Sequence, residues 1–226
     1  MDTLGIDIGT TTVKYVRYRK KSDRIVSLGE YRYQAGWEGL KDVAAAIRSK
    51  EGTRVTLALG VTSVELLKKT YSVTAQSEED IKAEIDALVS RGVLAPLDDM
   101  YRRYIPLGEV EERGTTKQEV LFLGAPGGFV DHVVGIFRNA GFKTIPVLTD
   151  VGFCYQSMTD YALDGSVAVI DIGGKQTGIY IFDSGKLLMI REIMTACDTL
   201  RDAVVGNTAL SPKEAEEQLW VNGIDQ

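Results

Sequence analysis

The chain is 226 residues long, carries a formal charge of −6 and is 44% hydrophobic, enough apolar material for one large or two modest domains. The acidic balance argues against nucleic acid, whose binding needs a basic stripe. No run approaches the apolar length that spans a bilayer, and Met1 is followed by an acidic residue rather than by the basic start of a signal peptide.

Thr3 to Ile8 is a short apolar run closed by Gly9, Thr11 to Tyr18 alternates in period two, and Arg24 to Tyr33 reads as extended. Three strands with tight turns therefore open the chain. The basic cluster Arg17-Tyr18-Arg19-Lys20-Lys21 closes the second strand and reads as a solvated hairpin tip. Leu40, Val43, Ala44 and Ile47 keep helical spacing between Trp37 and Ile47, and Val55 to Leu59 follows as a strand.

Residues 61–116 have a different texture. A strand from Val64 to Val73 leads to Ser77-Glu78-Glu79-Asp80, an N-cap with acids in the first turn. That helix runs through Ile81, Ile85, Leu88 and Val89 to Arg91-Gly92, and an extended segment from Met100 to Leu107 ends in the polar turn Glu111-Glu112-Arg113-Gly114. The whole reads as a strand–helix–strand insert.

Strand and helix then alternate again: Glu119 to Leu123, a helix from Phe129 to Asn139, a strand from Lys143 to Leu148 and a helix from Val151 to Leu163. Three strands follow at Val167 to Ile172, Thr177 to Phe182 and Leu187 to Ile193. A helix near Asp198 and one capped by Ser211-Pro212 with Glu214 close the sequence. Cys154 and Cys197 lack metal spacing and read as buried small hydrophobes in a reducing compartment. His132 has no second histidine with which to share a metal.

The most informative feature is an internal echo. The opening GIDIGTTTVKYVRY and the later VIDIGGKQTGIYIF share an apolar strand, Asp-Ile-Gly, a small polar turn and a second strand, and each is followed by a third strand and a helix. A duplicated βββα unit predicts two related lobes. A tight turn of this composition exposes successive backbone N–H groups as an anion-binding nest, and Gly9 and Gly173-Gly174 let a phosphate approach. Thr10, Thr11 and Thr12 add hydroxyl donors, and Lys14 adds a point charge. Asp7 and Asp171, at the two strand ends, are candidates to hold Mg²⁺ through water. Two such turns facing each other would clamp a triphosphate.

DIGTTTVK (Asp7 to Lys14) and DIGGKQT (Asp171 to Thr177) resemble the two phosphate motifs of the actin/hexokinase superfamily. PLDD (Pro96 to Asp99), LGEVEE (Leu107 to Glu112), KQEVLFLGAP (Lys117 to Pro126), LLMIREI with Asp198, and SPKEAEEQL (Ser211 to Leu219) narrow the likeness to the PilM-type pilus assembly family. That family is related to FtsA and to the cytoplasmic part of GspL.

The resemblance implies an α/β chain with the actin-like, ribonuclease H-like fold. Residues 1–60 and 117–163 would form subdomain 1A, 61–116 the inserted subdomain 1C, and 164–226 the start of subdomain 2A, truncated relative to the family. It implies ATP and Mg²⁺ between 1A and 2A, held by Asp7, Gly9, Thr10, Thr11, Thr12 and Lys14 and by Asp171, Gly173, Gly174, Lys175, Gln176 and Thr177. It also implies a cytoplasmic place beside the inner membrane, with the N-terminal tail of a PilN-like membrane protein in a groove between 1A and 1C; self-association is left open. Asp150 and Gln156 are the substitutes for a residue that orients water, because Gly152 stands where the family often has an acid, so hydrolysis is expected to be slow or missing. Two other readings stand beside this one: a GspL-like type II secretion scaffold without nucleotide, and an actin-fold small-molecule kinase or activator ATPase.

Overall fold

The computed structural model describes residues 1–34, 36–61, 65–74, 77–91, 99–143, 147–150, 154–155 and 165–223. The opening strands β1 (Asp2–Ile8), β2 (Thr12–Arg19) and β3 (Arg24–Arg32) form an antiparallel meander. Beyond β1 the sheet continues in parallel through β4 (Val55–Val61) and then β8 (Val147–Asp150), giving the order β3-β2-β1-β4-β8.

Period-two alternation sends Leu4, Ile6 and Ile8 of β1 and Leu57 and Leu59 of β4 to one face. There they meet Val43, Ala44 and Ile47 of α1 (Trp37–Glu51) and Val133 and Phe137 of α3 (Gly127–Asn139). β8 carries the strand expected at Lys143–Leu148 on to Asp150, because its ladder with β4 runs to the Val61–Asp150 pair. The helix expected over 151–163 lies outside the described residues, except for 154–155, which are helical.

The insert is a three-stranded antiparallel sheet of order β5-β7-β6, from β5 (Leu67–Val73), β6 (Met100–Glu112) and β7 (Thr115–Pro126), with α2 (Glu78–Ser90) on one face. β6 and β7 are longer than their apolar runs predict. Their polar ends pair with each other as far as Glu112–Thr115 across a turn whose residues, Arg113 and Gly114, both have positive φ, the left-handed pair that a tight hairpin needs. Backbone ladders do not require apolar side chains, so hydropathy underestimates such arms.

The expected start of the first lobe's second part, at 117, falls within β7, and Thr115–Pro126 is the central strand of this three-stranded sheet. Its alternation serves two cores. Val120 and Phe122 pack with Val73, Ile81 and Ile85 under α2. Leu121 and Leu123 face the other way, against Tyr180, Phe182 and Leu187 of the second lobe.

The second lobe contains β9 (Ser166–Ile172), β10 (Thr177–Asp183) and β11 (Lys186–Ile193) in the order β11-β10-β9, followed by α4 (Cys197–Asn207) and α5 (Pro212–Val221). It repeats the β3-β2-β1 meander. α5 starts with the expected box: Ser211 Oγ accepts from the Glu214 N–H, and Glu214 Oε2 accepts from the Ser211 N–H at 2.8 Å.

Two side-chain expectations are corrected. Cys154 and Cys197 are exposed, not buried; Cys197 opens α4 at the rim of a cleft, where its hydrophobicity is not used. The basic cluster is not simply a solvated tip. Lys20 and Lys21 are exposed, but Arg17 Nε and the Arg19 guanidinium donate to the Asp2 carboxylate at 2.8–2.9 Å. Arg17 Nη1 also donates to the Glu51 carbonyl at 3.1 Å, bolting the start of β1 to the end of α1. His132 lies against Trp37 with ring centroids 4.3 Å apart, a contact between α3 and α1.

Candidate functional site

The two echoed turns have the same backbone construction. In the first, the Gly9 N–H donates to the Thr12 carbonyl at 3.1 Å; in the second, the Gly173 N–H donates to the Gln176 carbonyl at 3.0 Å. A Cβ built on either glycine would stand 2.9 Å from that acceptor, so each turn requires glycine at the same place. The closing bond of each turn does not use the N–H groups of its central residues, Thr10 and Thr11 in one, Gly174 and Lys175 in the other.

The turns meet. A Cβ on Gly174 would lie 2.8 Å from Thr11 and 3.0 Å from the Thr10 hydroxyl. Between and above them opens a cleft of about 930 Å³, within the range of pockets that hold a cofactor-sized ligand. Asp7, Gly9, Thr10, Thr11, Thr12 and Lys14 line it from the first lobe, and Asp171, Gly173, Gly174 and Gln176 from the second. Asp7 and Lys14 are cross-strand partners at the end of the β1–β2 ladder, on the same face of the sheet.

Thr177 is buried, and its hydroxyl donates to the Thr195 carbonyl at 2.7 Å instead of lining the cleft. Lys175 is exposed and borders a smaller groove of about 220 Å³ with Trp37, Leu40, Phe129 and Val133. Gly9 and Thr10 form a common wall between that groove and the cleft. Asp150 ends β8, and Gln156 lies outside the described residues. Asp7 and Asp171 both line the cleft, while among the described residues no group of three or more metal-ligating side chains collects.

Several contributors carry no motif. Tyr33, just past β3, donates its N–H to the Thr11 carbonyl at 3.1 Å and its hydroxyl to the Gly9 carbonyl at 2.7 Å, clamping the first turn. Burial raises its pKa above the usual tyrosine value. Tyr155 rests on the Tyr180 ring at 5.2 Å and bonds the Asp171 carboxylate. Burial first, then that bond and the charges of Asp171 and Asp7, push its pKa well above the usual range. A hydroxyl that keeps its proton there stays a donor toward the Asp171 carboxylate.

The second turn also builds the start of α4. Its N-cap, Ala196, has no side chain to offer, and the N–H groups of Cys197 and Asp198 donate instead to the Gly173 and Gly174 carbonyls at 3.1 and 2.8 Å. The far wall of the cleft comes from α4 and α5, with Leu200, Leu219 and Trp220 as apolar surface and Arg201 and Glu216 as charges. Arg32 of β3 pairs with Glu216 at 2.7 Å, so an exposed ion pair crosses the mouth. The cleft thus has a polar, donor-rich pole at the turns and an apolar pole at the helices.

Comparison with known proteins agrees with this architecture. The family model described as Type IV pilus assembly protein PilM matches residues 5–222. Among solved structures, a PilM–PilN type IV pilus biogenesis complex superposes with a TM-score of 0.81 at 18% identity, covering 98% of this chain and 70% of that one. The cytoplasmic domain of EpsL, an inner-membrane component of the Vibrio cholerae type II secretion system, gives 0.53 at 12% identity, covering 86% and 70%. A Bacteroides thetaiotaomicron protein with an actin-like ATPase fold gives 0.55 at 14% identity, covering 98% and 78%. No curated protein matches the chain. The fold is therefore the actin-like ATPase fold. No helix among the described residues is long and apolar enough to cross a membrane.

Proposed function

Because this chain belongs to the Type IV pilus assembly protein PilM family, we propose that it is an actin-fold scaffold at the cytoplasmic face of a pilus assembly platform, with ATP and Mg²⁺ as its closing ligand. The observation that carries the reading is the pair of identically built turns in contact across one cleft, with Asp7 and Asp171 at their strand ends. Each side of the triphosphate would meet backbone N–H donors, the first with the added hydroxyls of Thr10 to Thr12 and the charge of Lys14. Asp7 and Asp171 would hold Mg²⁺ through water, and the ion would supply neutralisation of phosphate charge. Leu200, Leu219 and Trp220 suit the uncharged end of a nucleotide.

In this reading the nucleotide is an effector: bound to both lobes, it favours the closed arrangement without turnover. The first lobe is subdomain 1A, the insert 1C, and the strands from β9 onward part of 2A. The partner is the cytoplasmic N-terminal tail of a PilN-like inner-membrane protein, seated between 1A and the insert. The superposition on a PilM–PilN complex supports that choice.

Calorimetric titration with Mg-ATP tests the cleft. Saturable heat that is lost in Asp7→Ala and Lys14→Ala, with both variants folded, is the expected result. Equal affinity in all three proteins would sink the phosphate clamp. For the partner, a synthetic PilN-type N-terminal peptide should bind the whole chain and lose binding when residues 66–126, which hold all three strands of the insert, are replaced by a short linker and the first lobe still folds.

A further inference from the structure

Gln176 belongs to the second turn, lines the cleft and is 4% exposed. Its side-chain amide donates to Glu192 Oε1 of β11 at 3.2 Å. The same oxygen accepts from the ammonium of Lys68, on β5 of the insert. Lys68 is 5% exposed along its side chain and Glu192 24%. A buried ammonium costs several kcal/mol unless it is paired, and Glu192, which pairs with this one, lies on a different lobe. β7 ties the same two bodies together through Leu121 and Leu123 against Tyr180, Phe182 and Leu187. The insert is thereby held to the second lobe by an apolar seam and a largely buried ion pair, and Gln176 connects that pair to the cleft.

From this geometry we propose that Gln176, Glu192 and Lys68 form a relay that couples occupancy of the second turn to the position of the insert. The proposal rests on the anion-binding reading of the cleft. The Gln176 amide has two acceptors to choose between. In the structure it bonds Glu192; a phosphate oxygen at the turn would offer a more strongly charged acceptor on the other side. When the amide turns to phosphate, Glu192 loses its neutral donor and depends on Lys68, so β5 is drawn toward β11. Conversely, anything that shifts the insert alters the bond available to Gln176 and changes the affinity of the turn, since coupling between two sites is reciprocal. Glu192 and Lys68 are positioning residues here and contact no ligand.

Hydrogen exchange by mass spectrometry on the whole chain, alongside calorimetry, tests the relay. In the wild-type protein saturating Mg-ATP should change exchange at residues 67–73 by roughly fivefold or more. In Glu192→Leu with Lys68→Met, which removes both charges of the pair together, calorimetry should still register ATP while that response disappears. A response of the same size in the double variant overturns the relay. A ligand-free arm separates the two ideas: Lys68→Met should speed exchange at 173–178 by roughly fivefold and leave β1 unchanged. Unaltered exchange there also overturns the relay, whatever ATP does. If the wild-type protein takes up no ATP, the phosphate clamp fails and the ligand-free arm alone decides the link.

Discussion

Gly174 lies so close to Thr11 that a Cβ on it would stand 2.8 Å from both Thr11 Cγ2 and Thr11 Oγ1. The contact joins the two echoed turns, one from each lobe, and leaves no room for a side chain at position 174. Gly174→Ala should push the turns apart and weaken Mg-ATP about tenfold or more, equivalent to ~1.4 kcal/mol, with little change in melting temperature because the turn is only half buried. Combining it with Thr11→Ala, which removes both clashing atoms, should recover part of the loss. Affinity as tight in Gly174→Ala as in the wild type would show that the turns need not meet.

Tyr33 reaches the first turn through its hydroxyl bond to the Gly9 carbonyl. Tyr33→Phe keeps the ring and removes that bond, so it should cost about 1 kcal/mol of stability. It should also raise hydrogen exchange at residues 9–12 more than at β4. Exchange in the turn that matches the wild type would mean the main-chain bond from the Tyr33 N–H to Thr11 suffices.

Asp2 gives a pH dependence with a definite sign. Hydrogen bonds from Arg19 and Arg17 outweigh burial and hold its carboxyl far below the usual carboxylate range. A folded value below the unfolded one means that this stabilisation is complete above about pH 4 and is lost as the pH falls toward the folded value. Urea midpoints of wild type and Asp2→Asn should therefore differ at neutral pH, and the gap should narrow steadily as the pH falls below about 4. A gap that stays constant down the acid limb would remove Asp2 from the account.

Neighbouring positions on β7 should fail differently. Phe122→Ala opens a hole beneath α2 and should cost about 3–5 kcal/mol, felt first as exchange in α2 and β5. Leu121→Ala should cost about 2–5 kcal/mol and loosen the seam to β10 and β11 while α2 stays protected. The same exchange pattern from both variants would contradict the division of β7 between two cores.

The echo of Asp-Ile-Gly followed by a small polar turn was enough to predict two related lobes and two matching turns. A glycine that must approach its own acceptor, flanked by alternating apolar strands, is a local constraint written in adjacent residues. Helix spacing, the Ser211 box and the opening meander were legible for the same reason. Local signals said nothing of Tyr33 and Tyr155, because each lies outside the turn it supports and neither sits in a motif. Nor did they reveal that Arg17 and Arg19 bind Asp2, since charge clusters look alike whether solvated or paired. Hydropathy cannot say which sheet a strand joins: β7 has apolar residues on both faces, and only the packing of Phe122 under α2 and Leu121 against Tyr180 assigns them. The sequence by itself determined the turns and the lobes that carry them. What faces what across the cleft, and how the insert is bolted to the second lobe through Lys68 and Glu192, was decided by tertiary structure, because those contacts join residues more than a hundred positions apart and depend on three-dimensional packing.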